Sequence, residues 1–170
     1  MNLNKKVFFS YLDKHKSIEN NPQIAVGVSG GPDSMALFYL LNLWIKSKKG
    51  KLYALIFNHA LRDNSEEEAF FVKKMLLNFD AKIVVIDVKK NSKVKKNMAQ
   101  ARINRFEGLI KFCKKNNILH LFLGHHFDDN LETYLIRKIN GSNLQGLESM
   151  KNIIFFNDLI IFRPLINTNK

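Results

Sequence analysis

A strand that runs straight into a glycine turn and then a helix constrains this chain more than any other feature. Ile24-Ala-Val-Gly-Val28 is a short apolar run of the kind that forms a buried strand. It breaks at Ser29-Gly30-Gly31-Pro32, and apolar residues resume at Met35, Ala36, Leu37, Phe38, Leu40 and Leu41 with helical spacing. Such a turn aims backbone N–H groups and the positive end of a helix dipole at one point. Glycines let the backbone approach an anion that a Cβ would hold off. Ser29 and Ser34 are expected to add hydroxyl donors at either end of the loop. Asp33 is the odd member, because a carboxylate beside a phosphate repels it unless a cation lies between them.

The loop is not the GxxxxGK[ST] type, since no lysine follows the glycines. It is not GxGxxG either, because Gly30 and Gly31 are adjacent. The alternative to a nucleotide loop is a tight βα turn with a helix cap.

Strands read at Ile24–Val28, Lys51–Phe57, Lys82–Val88 and Leu119–Leu123 alternate with helices over 4–15, 34–47, 65–78, 98–116 and 128–139. Ser65-Glu-Glu-Glu68 opens the third helix as a capping box. Residues 89–97 read as a basic loop and 140–146 as a break, with two short strands at 153–156 and 159–162 around Asn157-Asp158. This alternation predicts an α/β, Rossmann-like, doubly wound and mainly parallel sheet of about five strands, with helices on both faces. A single domain over 1–170 is expected from a chain of 170 residues that is 46% hydrophobic.

In such a sheet ligands sit beyond the carboxyl ends of the strands, so residues that follow each strand matter most. His59 and Arg62 follow the second strand and read either as site residues or as ordinary loop and surface groups. After the fourth strand comes Gly124-His125-His126-Phe127-Asp128-Asp129-Asn130-Leu131-Glu132-Thr133. Asp129 and Glu132, three apart, would share a helix face that His125 can reach. Two carboxylates and an imidazole there could hold Mg²⁺ or deprotonate an amine, or could be plain helix capping. Arg102 and Arg105 share another helix face, where they either bind phosphate through the guanidinium fork or line a wet surface.

Composition narrows the setting. No run approaches the ~20 apolar residues of a membrane span, and the N-terminus lacks the pattern of a signal peptide. Cys113 is the only cysteine, which excludes an internal disulfide or a CxxC metal site. A cytoplasmic setting with no membrane association is expected. A net charge of +12 suits a polyanionic partner. In a chain that otherwise spells its positive charge as lysine, each arginine marks a place where a planar fork is useful.

Taken together, Ser29–Ser34, Asn58-His-Ala-Leu-Arg62 with Ser65–Ala69, Ala101-Arg-Ile-Asn-Arg-Phe106 and His125–Thr133 resemble the tRNA(Ile)-lysidine synthetase family. Asn140–Leu147 and Phe162-Arg-Pro-Leu165 continue the resemblance. It implies an ATP- and Mg²⁺-dependent ligase that joins free L-lysine to C2 of the wobble cytidine in an isoleucine tRNA with a CAU anticodon. The implied course is adenylation of the base with loss of pyrophosphate, then attack by lysine with loss of AMP.

The resemblance also distributes roles. Ser29, Gly30, Gly31, Pro32, Asp33 and Ser34 would hold ATP, with His59 and Arg62 lining the nucleotide or tRNA side. Asp33 and Asp129 would share Mg²⁺. Arg102 and Arg105 would contact phosphate or the intermediate, and His125 and Glu132 would place or deprotonate the lysine. Asn58 receives no catalytic role. Family members usually continue into further domains that grip the tRNA, so this chain reads either as a fragment that carries the catalytic groups without much of the docking surface, or as a minimal form relying on its own basic surface. The rivals are another enzyme with this loop, such as a tRNA thiolase, and a catalytically silent ATP- or RNA-binding module.

Overall fold

The computed structural model describes residues 4–15, 17–58, 65–87, 98–125 and 152–166. Its elements, in chain order, are α1 (Lys5–Asp13), β1 (Gln23–Val28), α2 (Pro32–Ser47), β2 (Lys51–Asn58), α3 (Ser65–Leu76), β3 (Lys82–Asp87), α4 (Met98–Lys115), β4 (His120–Leu123), β5 (Ile153–Phe156) and β6 (Leu159–Phe162). The helix expected over 128–139, the basic loop 89–97 and the break at 140–146 lie outside the described residues.

Among the described residues six strands form one sheet, in the order β3-β2-β1-β4-β6-β5. All neighbouring pairs are parallel except β5 with β6. The count exceeds the expected five because both arms of the β5–β6 hairpin join the same sheet. Asn157, with φ of 51°, supplies the left-handed residue of the turn between them. The strand order runs outward from β1 to β2 and β3, then restarts on the other side of β1 with β4. The β1–β4 seam is therefore the topological switch point.

β1 is apolar at nearly every position because both of its faces are covered. Ile24, Val26 and Val28 join one core with Phe8 and Leu12 of α1, Leu37, Phe38, Leu41, Trp44 and Ile45 of α2, and Ala69, Val72 and Leu76 of α3. Ala25 faces the other core, built on Phe106, Leu109, Ile110 and Cys113 of α4. The spacing of the buried residues on α2 is the one-sided stripe of a helix laid on a sheet. The expected helices on both faces are thus observed, three on one side and α4 on the other among the described residues.

At the amino edge of the sheet, side chains join the segments. Asn4 caps α1 by accepting from the Val7 N–H at 2.9 Å. Trp44 Nε1 donates to Asp13 Oδ1 at 3.0 Å, and Lys48 Nζ lies 2.8 Å from the same oxygen. Lys48 first, and Trp44 second, hold the Asp13 carboxyl below its usual range. His120, 1% exposed, places Nε2 2.6 Å from Glu19 Oε2, tying β4 to the segment before β1. Burial pulls the Glu19 carboxyl upward, but the bond to His120 and its backbone donors outweigh that and leave it lowered. Among the described residues, no helix is long and apolar enough to cross a membrane.

Candidate active site

The site is built where β1 and β4 end side by side. β1 gives way to Ser29 and Gly30, and α2 begins at Pro32 with Gly31 as its N-cap. Pro32 suits the first helical position, where its missing N–H costs no bond. Gly31 brings no side-chain cap, so no cap side chain stands over the helix's positive end. Gly30 has φ of +84°, and a Cβ added there would lie 2.6 Å from Val72 Cγ2. The turn therefore requires glycine twice over, for its backbone angle and for its contact with α3.

The two serine hydroxyls do not stand ready as donors, contrary to the expectation. Ser34 Oγ donates to the Gly31 carbonyl at 2.9 Å and accepts from the Ser29 N–H at 3.2 Å. A hydroxyl has one proton, so the Ser29–Ser34 contact at 3.2 Å must be donated by Ser29. Ser34 is 7% exposed and braces the loop from within. The surface offered outward is mainly backbone, with Ser29, Gly30 and Pro32 exposed and Asp33 half-buried in the first helical turn.

Gly124 follows β4 and brings it against that turn. A Cβ on Gly124 would lie 3.1 Å from Ser34 Cα, 3.2 Å from Ser34 N and 3.3 Å from the Asp33 carbonyl carbon. The next residue, His125, is partly buried, with Nε2 3.3 Å from Arg105 Nη2 on α4. A guanidinium has no acceptor, so His125 Nε2 accepts this bond and Nδ1 carries the ring proton. One line of contacts thus joins the loop, the end of β4 and α4. Arg102 lies one turn earlier on the same helix and is partly exposed. Ser29–Ser34, Arg105 and His125 are therefore brought together.

His59, Arg62, Asp129 and Glu132 lie outside the described residues. Asp33 offers the hard oxygen that Mg²⁺ prefers, beside an anion cradle, which fits the expected metal. Among the described residues no group of three or more histidine, cysteine, aspartate or glutamate side chains forms a metal cluster. Cys113 is 0% exposed, and burial pushes its thiol up to about 12, which leaves it inert as a nucleophile.

Two features escaped the sequence reading. Gly124 stands directly after a strand, a placement that could have flagged a close backbone approach. Asn58 is buried and donates from Nδ2 to Asp87 Oδ1 at 3.0 Å, closing β2 on β3 at the same edge. Nothing in their separate positions signals that pair.

The PP-loop domain family matches residues 4–170. A tRNA(Ile)-lysidine synthase of Orientia tsutsugamushi is 38% identical over 169 residues, covering 99% of this chain and 38% of that protein. One from Wolbachia pipientis wMel is 42% identical over 152 residues, covering 88% of this chain and 35% of that protein. The chain thus spans under two-fifths of the length of these relatives. Among solved structures, the U34-tRNA thiolase NcsA from Methanococcus maripaludis, determined with its [4Fe-4S] cluster, aligns with a TM-score of 0.69. It is 20% identical over 94% of this chain and 58% of its own, and that likeness shows the fold alone.

Proposed function

Because the chain belongs to the PP-loop family, we propose that it binds ATP at the β1–β4 seam and ligates L-lysine to C2 of the wobble cytidine of a CAU-anticodon isoleucine tRNA. The observation that carries this reading is the line of contacts from Asp33 and Ser34 through Gly124 and His125 to Arg105. Segments distant in sequence, each part of the motif set, meet at one edge of the sheet. The named relatives supply the substrate class.

In the proposed course the C2 oxygen of cytidine attacks the α-phosphorus of ATP and pyrophosphate leaves. The lysine ε-nitrogen, once deprotonated, then attacks C2, and the C2–O bond breaks with AMP as leaving group. The backbone of residues 29–34 and the α2 dipole hold the pyrophosphate portion. Asp33 and Asp129 would hold Mg²⁺, which supplies charge neutralisation as pyrophosphate forms. Arg105 stabilises negative charge on the α-phosphate, and Arg102 adds a second guanidinium on that helix. His59 and Arg62 line the nucleotide or tRNA side.

The Arg105–His125 bond refines one role. With Nε2 accepting from Arg105 and Nδ1 protonated, His125 has no lone pair left for a substrate proton. It positions Arg105 and the lysine, and Glu132 is the better candidate for base. The inert Cys113 thiol weighs against sulfur transfer through a chain cysteine.

The test is incorporation of labelled lysine into an unmodified isoleucine CAU tRNA transcript with ATP and Mg²⁺. ATP-dependent label with release of AMP and pyrophosphate is expected. ATP binding with no label at saturating tRNA would instead identify a silent nucleotide-binding module.

A further inference from the structure

The carboxyl edge holds a polar pair that the ligation course leaves unused. Asn58 ends β2 and Asp87 ends β3, and the two are direct partners in the parallel register. Asn58 is 6% exposed, with its Nδ2 on Asp87 Oδ1 at 3.0 Å, while Asp87 itself is exposed. A buried amide holding an exposed carboxylate in one rotamer is a pre-aimed acceptor. Side-chain alternation puts Asn58 on the face of Ile56 and Asp87 on that of Val85. Both lie on the side covered by α2 and α3, the side on which α2 begins and phosphate would be anchored.

Distance along the edge gives the pair its meaning. Strands lie ~4.8 Å apart, so Asn58 sits one strand and Asp87 two strands from the end of β1. A nucleoside whose phosphates rest on the α2 N-terminus and which extends away from β4 crosses these two positions with its sugar. An ionised carboxylate only accepts hydrogen bonds, so it matches hydroxyl donors and repels phosphate. A vicinal diol is the part of a ribonucleotide with two such donors. Acidic side chains at strand ends of nucleotide-binding sheets accept from ribose in the same way.

We propose that Asp87, aimed by Asn58, reads the ribose of the bound nucleotide by accepting hydrogen bonds from its 2′- and 3′-hydroxyls. The inference rests on the ATP reading above and adds to it the group that distinguishes a ribonucleotide from its deoxy analogues. On the β4 side of the seam, Arg105 keeps its place at the α-phosphate, and His125 positions it and the lysine.

Calorimetric titration of the full chain with Mg²⁺ complexes of ATP, 2′-deoxy-ATP, 3′-deoxy-ATP and pyrophosphate tests it. The parent chain should bind ATP about tenfold more tightly than at least one deoxy analogue, the loss of a hydrogen bond to a charged group. Asp87→Ala should bind ATP about tenfold more weakly, lose the discrimination, and keep its pyrophosphate affinity. If the parent binds ATP but does not discriminate, or if Asp87→Ala discriminates as the parent does, the ribose assignment is overturned and the ATP reading stands. An Asp87→Ala chain that melts earlier with unchanged nucleotide affinities would reduce the pair to a brace between strands, which also overturns it. A parent chain that binds none of the four ligands sinks both readings.

Discussion

Both edges of the sheet combine side-chain bonds with close backbone approach at glycine, a Cβ on Gly50 meeting the Pro22 carbonyl oxygen at the amino edge, and they differ in what those contacts leave exposed. At the amino edge, segments are joined by adding side chains that satisfy one another, Trp44 and Lys48 on Asp13 and His120 on Glu19. At the carboxyl edge, beside the Arg105–His125 and Asn58–Asp87 bonds, two glycines bring the start of α2 against its neighbours. Gly30 admits Val72 where a Cβ would sit, and Gly124 lets the end of β4 rest on the Asp33–Ser34 backbone. Polar side chains that saturate each other leave little for a ligand. Backbone packed without side chains leaves helix dipole and N–H groups facing outward. If the proposed site lies at the carboxyl edge, substitutions at the two edges should separate fastening from ligand binding.

The largest effect is expected from Asp33→Asn. If Asp33 holds the cation, lysine incorporation should fall by roughly 10³-fold, the scale seen when one electrostatic stabiliser is removed. The melting temperature should stay near that of the parent, because Asp33 is only half-buried. Unchanged turnover would remove Asp33 from the metal site.

Gly124→Val comes next, and unlike Asp33→Asn it should damage both stability and nucleotide binding. Its side chain would have to displace the first turn of α2, with Ser34 Cα 3.1 Å from the new Cβ. Overpacking of this kind costs about 1–3 kcal/mol, measurable by denaturant unfolding alongside ATP titration. Normal ATP affinity in a folded Gly124→Val chain would break the claim that close backbone approach builds the receptive edge.

Arg105→Met should lower incorporation by about tenfold to a hundredfold and release His125 from its tautomer. The ¹⁵N shifts of the imidazole report this directly, with Nε2 no longer held as an acceptor. Arg105→Lys should restore little, since a lysine lacks the fork. A His125 spectrum identical to the parent's would show that the Arg105–His125 bond does not set the tautomer in solution.

The smallest effect belongs to the fastened edge. Glu19 and Asp13 both have carboxyls lowered in the folded chain. Each contributes stability above its unfolded value, and that contribution is lost as pH falls through the lower folded value. Glu19→Gln should therefore melt slightly earlier than the parent at pH 7 and equally in strong acid. The Glu19 side chain is 44% exposed, so solvent screening keeps the difference small. ATP affinity should not change. A loss of ATP binding in Glu19→Gln would mean that the two edges are coupled.

Most elements were legible because their local signals are strong. β1 and β2 were found to within a residue or two, since strands covered on both faces are nearly continuous apolar runs. The β5–β6 hairpin was found with its observed ends, as Asn157-Asp158 marks a turn between apolar tetrads. In the sequence Pro32 and Asp33 read as loop, whereas α2 already begins at Pro32; a proline at the first helical position looks the same as a turn proline in sequence. The inward-facing Ser34 hydroxyl carries no local signal for a similar reason, because its partners depend on the curl of the loop.

By itself the sequence determined the order of most strands and helices along the chain, the glycine turn from strand to helix at residues 29–34 and the presence of Arg102, Arg105 and His125 after or beside strand ends. These follow from periodicity and residue chemistry, which are local. Only the tertiary structure decided that β4 returns to lie beside β1, that Gly124 sits on the start of α2, that Arg105 bonds His125, and that Asn58 holds Asp87. Each of these joins residues far apart in the chain, through the sheet order and backbone contacts that no local pattern encodes.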